Sequence, residues 1–258
     1  MGLFDAFQRK TCDICGNKVG LLGGTKLADG RLCKECAGKL SPWLSGLRNL
    51  TLEDIKRHLA YREANAEVVK NFNITHIVGK GKTKLYLNLP ERKFIVTGNE
   101  NWRNYNPDVL SFDQIVDADF NIDERKTELK TKDENGKQIS YNPPRYEYSY
   151  NFETTLKVNS EWFNALEFKM NGSSIDEIDS EDYDKAYLAC EEFVEVITAL
   201  RDGNDEDITE TIDYYKRLAD RPKRSYDENT YYSDSRKLKR GRDYYVERDP
   251  RKNYYRKY

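Results

Sequence analysis

Residues 11–18 read T-C-D-I-C-G-N-K, and residues 31–40 read R-L-C-K-E-C-A-G-K-L. These two stretches hold four of the five cysteines of the chain, as two C-x2-C pairs. A C-x2-C turn offers two thiolates from one tight knuckle, and two such turns at this separation are typical of a tetrahedral zinc site. The sequence therefore predicts one structural Zn²⁺ with four ligands: Cys12, Cys15, Cys33 and Cys36.

Disulfides and a redox site are the two alternatives for these cysteines, and both have less support. Disulfides persist mainly in oxidising compartments, and residues 1–10 lack the apolar core of a signal peptide. A thioredoxin-like redox site uses one C-x2-C beside a βαβ pattern, which this sequence does not show. The expected setting is a reducing cytoplasm, and no apolar run approaches the length of a transmembrane helix.

The residues around the cysteines predict a small module followed by a helix. Asp29-Gly30 is a hairpin turn between the two pairs, and the second pair opens a short helix. A knuckle, a hairpin and a helix make a treble-clef-like zinc module at residues 1–45. Thr51 is a good N-cap for a linking helix at residues 46–73. His58 lies on this helix beside Arg57, and we expect it to be a solvated surface residue.

From residue 74 the apolar residues alternate with polar ones, as they do in strands. About seven short strands with turn-rich connections predict an antiparallel sheet system. Two runs are expected to face the core, and these are Val116, Ala118, Phe120 and Ile122 in one strand, and Tyr146, Tyr148, Tyr150, Phe152, Leu156 and Val158 in another.

An amphipathic helix is predicted to close this domain, which spans residues 74–203. Its apolar stripe includes Cys190, which we interpret as a small buried hydrophobic residue. Glu191, Glu192 and Glu195 are expected on the outer face, and Gly203 is placed to end the helix. The predicted fold class is α+β: a treble-clef-like module, a linking helix, an antiparallel β roll with a C-terminal helix, and a tail.

The net charge of −2 conceals an asymmetry between two neighbouring segments. Residues 173–213 carry fifteen Asp/Glu and two Lys/Arg, whereas residues 221–258 carry thirteen Lys/Arg and six Asp/Glu. The basic segment has almost no aliphatic residues, so residues 204–258 are expected to be a disordered tail. The tail could fold back on the acidic segment, bind a protein, or contact nucleic acid. The candidate nucleic-acid contacts are Tyr231, Tyr232, Arg236, Lys237, Lys239, Arg240, Arg242, Tyr244 and Tyr245.

The sequence G-K-G-K-T at residues 79–83 is not a nucleotide-binding P-loop. That motif needs a glycine five positions before its Gly-Lys-Thr, where this chain has His76. The segment is expected to be a flexible basic turn between strands, and weak contact with an acidic lipid headgroup is a further possibility. The sequence shows no catalytic constellation, so we expect the protein not to be an enzyme.

Two resemblances extend these expectations. The order of elements in residues 74–202 resembles the pleckstrin-homology-like roll of two orthogonal sheets. The stretch from Cys12 to Leu200 also resembles a bacterial family of unknown function with an N-terminal four-cysteine zinc module. The matching pieces are C-D-I-C-G, L-C-K-E-C-A, S-P-W, L-A-Y-R-E, N-P-D-V-L-S-F-D-Q-I and P-P-R-Y-E-Y. This family resemblance implies zinc and a cytoplasmic location, and it implies no particular activity.

The sequence thus favours a non-enzymatic, zinc-stabilised binding or adaptor protein, with another protein as its expected partner. The alternative is a nucleic-acid-binding protein that uses the zinc module and the basic Arg/Tyr tail.

Overall fold

A computed structural model describes residues 11–20, 24–178, 180–204, 206 and 208–220. The candidate tail contacts between Tyr231 and Tyr245 lie outside these residues. The described residues up to Ala219 form one compact unit of helices and antiparallel sheets. The α+β class is confirmed at this level. None of the described helices is long and apolar enough to cross a membrane.

The N-terminal elements are short and surround the cysteines. An isolated bridge pairs Thr11 with Lys18, and a two-stranded antiparallel sheet follows it. The elements are β1 (Thr25–Lys26), β2 (Arg31–Leu32) and α1 (Lys34–Gly38). Their small apolar core contains three of the cysteines together with Leu27, Leu32, Leu40 and Ile55. Because a module this small buries little apolar surface, a cross-link through metal is the usual way to stabilise it.

Helix α2 (Leu52–Asn71) begins where the sequence predicts. The Thr51 hydroxyl accepts a hydrogen bond from the Asp54 N–H, and the Asp54 carboxylate accepts one from the Thr51 N–H. This capping box satisfies two backbone donors that a helix start leaves unpaired. The N-terminal part of α2 packs against the cysteine module through Ile55, and Val69 near its end packs on another cluster with Tyr86 and Ile95. The helix therefore connects the module to the sheets.

Seven strands form two antiparallel sheets after α2. The first sheet is a four-stranded meander in the order β3-β4-β5-β6, and the second has the order β7-β8-β9. The first four strands are β3 (His76–Val78), β4 (Lys84–Asn88), β5 (Lys93–Thr97) and β6 (Val109–Ser111). The last three are β7 (Ile115–Lys132), β8 (Gln138–Val158) and β9 (Ala165–Lys169).

The inward face of the second sheet differs from the prediction at both ends. A register shift between Ile115 and Asp117 turns Val116 outward, where it is half exposed, and buries Ile115 instead. On β8 the buried stripe begins only at Tyr150, and Tyr146 is 43% exposed. The difference arises because β7 and β8 are long strands that continue well beyond the core as one hairpin. The sequence predicts separate short strands in this region.

Two C-terminal helices cover the sheets. Helix α3 (Glu181–Asp202) ends at Gly203, whose φ of +76° is a left-handed conformation that glycine adopts without strain. Its apolar stripe packs on β7 and β8, as predicted. Helix α4 (Ile208–Ala219) was not predicted, because these residues were assigned to the disordered tail. Ile208, Ile212 and Tyr215 of α4 are buried, and α4 packs against α3.

Candidate metal centre

The structure brings the four predicted cysteines together. One sulfur atom from each of Cys12, Cys15, Cys33 and Cys36 lies within 4.8 Å of the other three. The first two belong to the knuckle bridged by Thr11 and Lys18. Cys33 caps α1, and Cys36 lies in the first turn of that helix. The two C-x2-C pairs, one from the knuckle and one from the start of α1, therefore meet at their sulfur atoms.

Backbone hydrogen bonds set the shape of the knuckle. The Cys12 N–H donates to the Asn17 carbonyl, and the Gly16 N–H donates to the Cys12 carbonyl. Gly16 has a φ of +73°, so a side chain at this position would be strained. The Asp13 N–H and carboxylate both bind the backbone of Arg31, which joins the knuckle to β2. These bonds hold the two cysteine pairs together through short local segments.

The donor set fits a tetrahedral metal ion. For metal–sulfur bonds of about 2.3 Å, the edges of a sulfur tetrahedron are about 3.8 Å long. The observed separations agree, since Cys15 Sγ lies 3.6 Å from Cys33 Sγ and all pairs are within 4.8 Å. The Cys36 N–H points at Cys33 Sγ at 3.4 Å, which stabilises charge on that sulfur. The cluster can therefore bind a metal ion, and four sulfur ligands would complete its coordination sphere.

The surroundings of the thiols shift their pKa values in opposite directions within the cluster. Burial by itself would raise the pKa of Cys12, but backbone hydrogen bonds from Cys15, Cys33 and Ile14 lower it to about 6. Burial and the neighbouring sulfurs raise the pKa of Cys36. Four sulfurs in contact cannot all ionise without a cation, so a bound divalent metal would complete the site electrostatically.

All five cysteines are free, and the fifth is not part of the cluster. Cys190 is completely buried on α3, as predicted, with its sulfur 3.8 Å from the Thr154 hydroxyl. Burial raises the pKa of this thiol to about 12. A thiol that stays protonated and inaccessible is a poor nucleophile.

His58 is the clearest error of the sequence analysis. It is completely buried instead of solvated, and its Nε2 accepts a hydrogen bond from the Ser41 N–H at 3.0 Å. Its ring meets Trp162 edge-on, with centroids 4.7 Å apart, while Nδ1 has no hydrogen-bond partner among the residues that the structure describes. Burial and the nearby Arg62 lower the pKa of His58 to about 4, so the ring is neutral at physiological pH.

Asp108 is the centre of a polar network beside His58. Its side chain is fully buried and accepts hydrogen bonds from the Ser41 hydroxyl at 2.7 Å, from the Tyr61 hydroxyl at 2.9 Å and from Arg62 Nη1 at 2.7 Å. Arg62 also donates to the carbonyl of Asn106. The network therefore joins the segment after α1, helix α2 and the loop before β6, and it attaches the cysteine module to the first sheet.

Helix α3 contacts the glycine-rich turn between β3 and β4. Glu192, which we had placed on the outer face of α3, is buried and accepts a hydrogen bond from the Gly79 backbone. Burial raises the pKa of Glu192 to about 7, against the lowering effects of that bond, of Lys80 and of Lys216. The segment is a turn between strands, as predicted, but the bond to Glu192 anchors a connection for which the sequence predicts flexibility.

Comparison with known proteins adds one match. Residues 11–58 match the family described as a domain of unknown function, DUF4428. The match covers the four cysteines, α1 and the start of α2, and it ends at His58. No curated protein and no solved structure matches the chain. The expected resemblance to a family of unknown function is thus confirmed for the cysteine-containing end.

Proposed function

We propose that the protein is a non-enzymatic, zinc-stabilised binding or adaptor protein. The observation that carries the proposal is the four-sulfur cluster within 4.8 Å, at C-x2-C spacings. Zn²⁺ suits this donor set because it prefers four tetrahedral ligands and accepts thiolates readily. With all four positions taken by Cys12, Cys15, Cys33 and Cys36, the ion would fold the module and leave no site for substrate.

The contacts of the module support a binding role over a catalytic one. Trp43 follows the second cysteine pair and packs against the main core, and the Asp108 network joins the same segment to the first sheet. A zinc-folded module held in this way would present its outer surface in a fixed orientation. A treble-clef-like module and a pleckstrin-homology-like pair of sheets are the arrangements we propose for the two parts. We also retain the cytoplasm as the proposed location.

A protein is the partner we propose first, and nucleic acid is the alternative. The test uses full-length protein and the Cys12→Ser variant as baits in a lysate, each with and without nuclease. Both baits are analysed for zinc before use. Proteins retained by the zinc-loaded bait after nuclease treatment, and lost from the variant, would support the adaptor role. Capture that nuclease abolishes would favour nucleic acid, and a full zinc content in Cys12→Ser would contradict the assignment of that ligand.

A further inference from the structure

We propose that the outer half of the β7–β8 hairpin binds single-stranded nucleic acid. This segment, residues 124–147, is called the arm below. The inference rests on the binding function proposed above and assigns its alternative partner, nucleic acid, to this surface. None of the side chains in the arm is buried, whereas Tyr150 and Phe152, just beyond it on β8, belong to the core. The arm is therefore a surface with no packing role along its length.

One face of the arm and its base carries aromatic rings and a lysine. Lys126 of β7 lies opposite Tyr148, and Glu128 lies opposite Tyr146. Lys126 Nζ is 4.0 Å from the centroid of the Tyr146 ring and 5.6 Å from that of Tyr148. Since Tyr146 is 43% exposed, this face offers an aromatic surface to which a flat ring could bind.

Lysines continue along the same face towards the end of the arm. Alternate residues of a strand point to the same side, so Lys130 and Lys132 follow Lys126 on this face. Within the described residues neither Lys130 nor Lys132 forms an ion pair. Three ammonium groups thus accompany two carboxylates, those of Glu124 and Glu128, which leaves one net positive charge on this face. The face is complementary to an anionic chain that carries aromatic groups.

Strand addition is a less suitable use of the arm. The register passes from Leu129 opposite Arg145 to Lys130 opposite Ser140, so residues 141–144 bulge out of β8. Pro143 and Pro144 in this bulge have no N–H to donate to an added strand. Prolines, bulges and charged side chains are the features that protect exposed sheet edges from pairing. Recognition is therefore expected through the side chains of the arm.

Both the phosphates and the bases of a single-stranded nucleic acid can bind these side chains. Its phosphates are attracted by the lysines, and its unpaired bases can stack on tyrosine rings. A duplex keeps its bases stacked inside the helix, so it would engage only the lysines. The lysines and tyrosines together therefore favour the single strand over a duplex and over an anionic membrane.

The test measures binding of full-length protein to a fluorescent single-stranded oligodeoxythymidine by anisotropy, over a range of salt concentrations. Tyr146→Ala should weaken binding about 5- to 150-fold, the effect of losing one stacked base. The double variant Lys130→Gln/Lys132→Gln should reduce the slope of log affinity against log salt by about 1.4, because each lost phosphate contact removes about 0.7.

Matched controls come from outside the arm. Tyr105 is a tyrosine of the loop before β6 and is 68% exposed, so Tyr105→Ala removes an even more accessible ring. Lys56→Gln/Lys70→Gln removes two exposed lysines from α2. Neither control should change the affinity or the salt slope as the arm variants do. The basic C-terminal segment is the same in every variant, so it cannot produce a difference between them.

Three results would overturn the inference. The first is no binding at low salt, and the second is an equal effect of the arm variants and their controls. The third is tighter binding to a duplex or to anionic vesicles, with an affinity that Tyr146→Ala does not change. Zinc content is measured on the same samples. Full zinc with no arm-dependent binding would reject this inference alone, whereas absent zinc would reject the proposed function.

Discussion

At the scale of single residues, the polar groups on the buried face of α2 are the least expected feature. Ile55, His58, Arg62, Asn65 and Val69 are all buried, at spacings of three and four residues. Helical spacing places these polar residues beside Ile55 and Val69, so the sequence contained a signal for their burial. It contained no signal for the partner of Arg62, because Asp108 lies 46 residues further along the chain and meets Arg62 only in the folded structure.

The first prediction concerns Asp108. Asp108→Asn should lower the free energy of unfolding by about 3–5 kcal/mol, because it leaves the Arg62 charge buried without its counter-ion. Asp113→Asn is the control, since Asp113 also pairs with an arginine, Arg92, but its side chain is 84% exposed. That change should have little effect. Urea denaturation measures both, and equal losses in the two variants would show that the Asp108 network does not contribute as described.

The second prediction concerns Cys190, which is completely buried against Thr154. In native, metal-loaded protein this thiol should react with a thiol reagent only as fast as the fold opens, and in denaturant at the rate of a free thiol. The Cys190→Ala variant identifies its share of the signal. Rapid labelling of Cys190 in the native state would mean that the face of α3 has been assigned wrongly.

At the scale of elements, local signals predicted helix starts and turns, and tertiary contacts decided the rest. Thr51 and Gly203 mark the start of α2 and the end of α3 because caps depend on neighbouring residues. The length of the β7–β8 hairpin could not be predicted, since its outer part is polar on both faces and its strands are held by pairing with each other. Helix α4 was not predicted because the acidic residues around Ile208, Ile212 and Tyr215 made the segment resemble a solvated tail.

The third prediction concerns Glu192 of α3 and its effect on stability. Burial raises the pKa of Glu192 from 4.5 in the unfolded chain to about 7 in the fold. Between these values the folded protein keeps a proton that the unfolded chain releases, so the contribution of Glu192 falls as pH rises towards 7 and stays low above it. Below pH 4.5 the group is protonated in both states and its contribution is complete.

The Glu192→Gln variant tests this dependence because glutamine stays neutral. The stability of the variant relative to wild type should rise by about 2–3 kcal/mol between pH 5 and pH 8. Glu210→Gln on α4 corrects for the loss of one negative charge. A difference between wild type and Glu192→Gln that does not change with pH would contradict the buried, protonated carboxyl. The lowered pKa of His58 makes stability change with pH in the opposite direction. Because both proteins contain His58, comparing them at each pH cancels this contribution.

At the scale of the whole molecule, the Asp108 network and Trp43 join the segment after the cysteine cluster to the sheets. The cluster itself was predictable, because C-x2-C spacing fixes its ligands locally. Its attachment was not, because Ser41, Trp43 and Asp108 meet through the fold. The polar network and the packing of Trp43 imply that loss of metal would disturb the neighbouring sheet as well as the module.

The fourth prediction follows from the positions of the three tryptophans. Trp43 and Trp162 pack against the main core near the module, whereas Trp102 packs in a separate cluster with Phe72 and Tyr86. Removal of metal with a chelator should shift tryptophan emission to longer wavelength as water reaches Trp43 and Trp162. Trp102→Phe should keep this shift, and Trp43→Phe/Trp162→Phe should lose most of it. The reverse pattern would place the metal-dependent change elsewhere.

The proposed function depends on a closed zinc site made of four cysteine sulfurs. Zinc-edge X-ray absorption on purified protein of known metal content can establish this site, because it reports the type, number and distance of the ligands. We predict one zinc per chain with four sulfur neighbours at about 2.3 Å and no nitrogen or oxygen ligand. A chain without zinc, or a zinc ion with a mixed or open set of ligands, would contradict the proposed site.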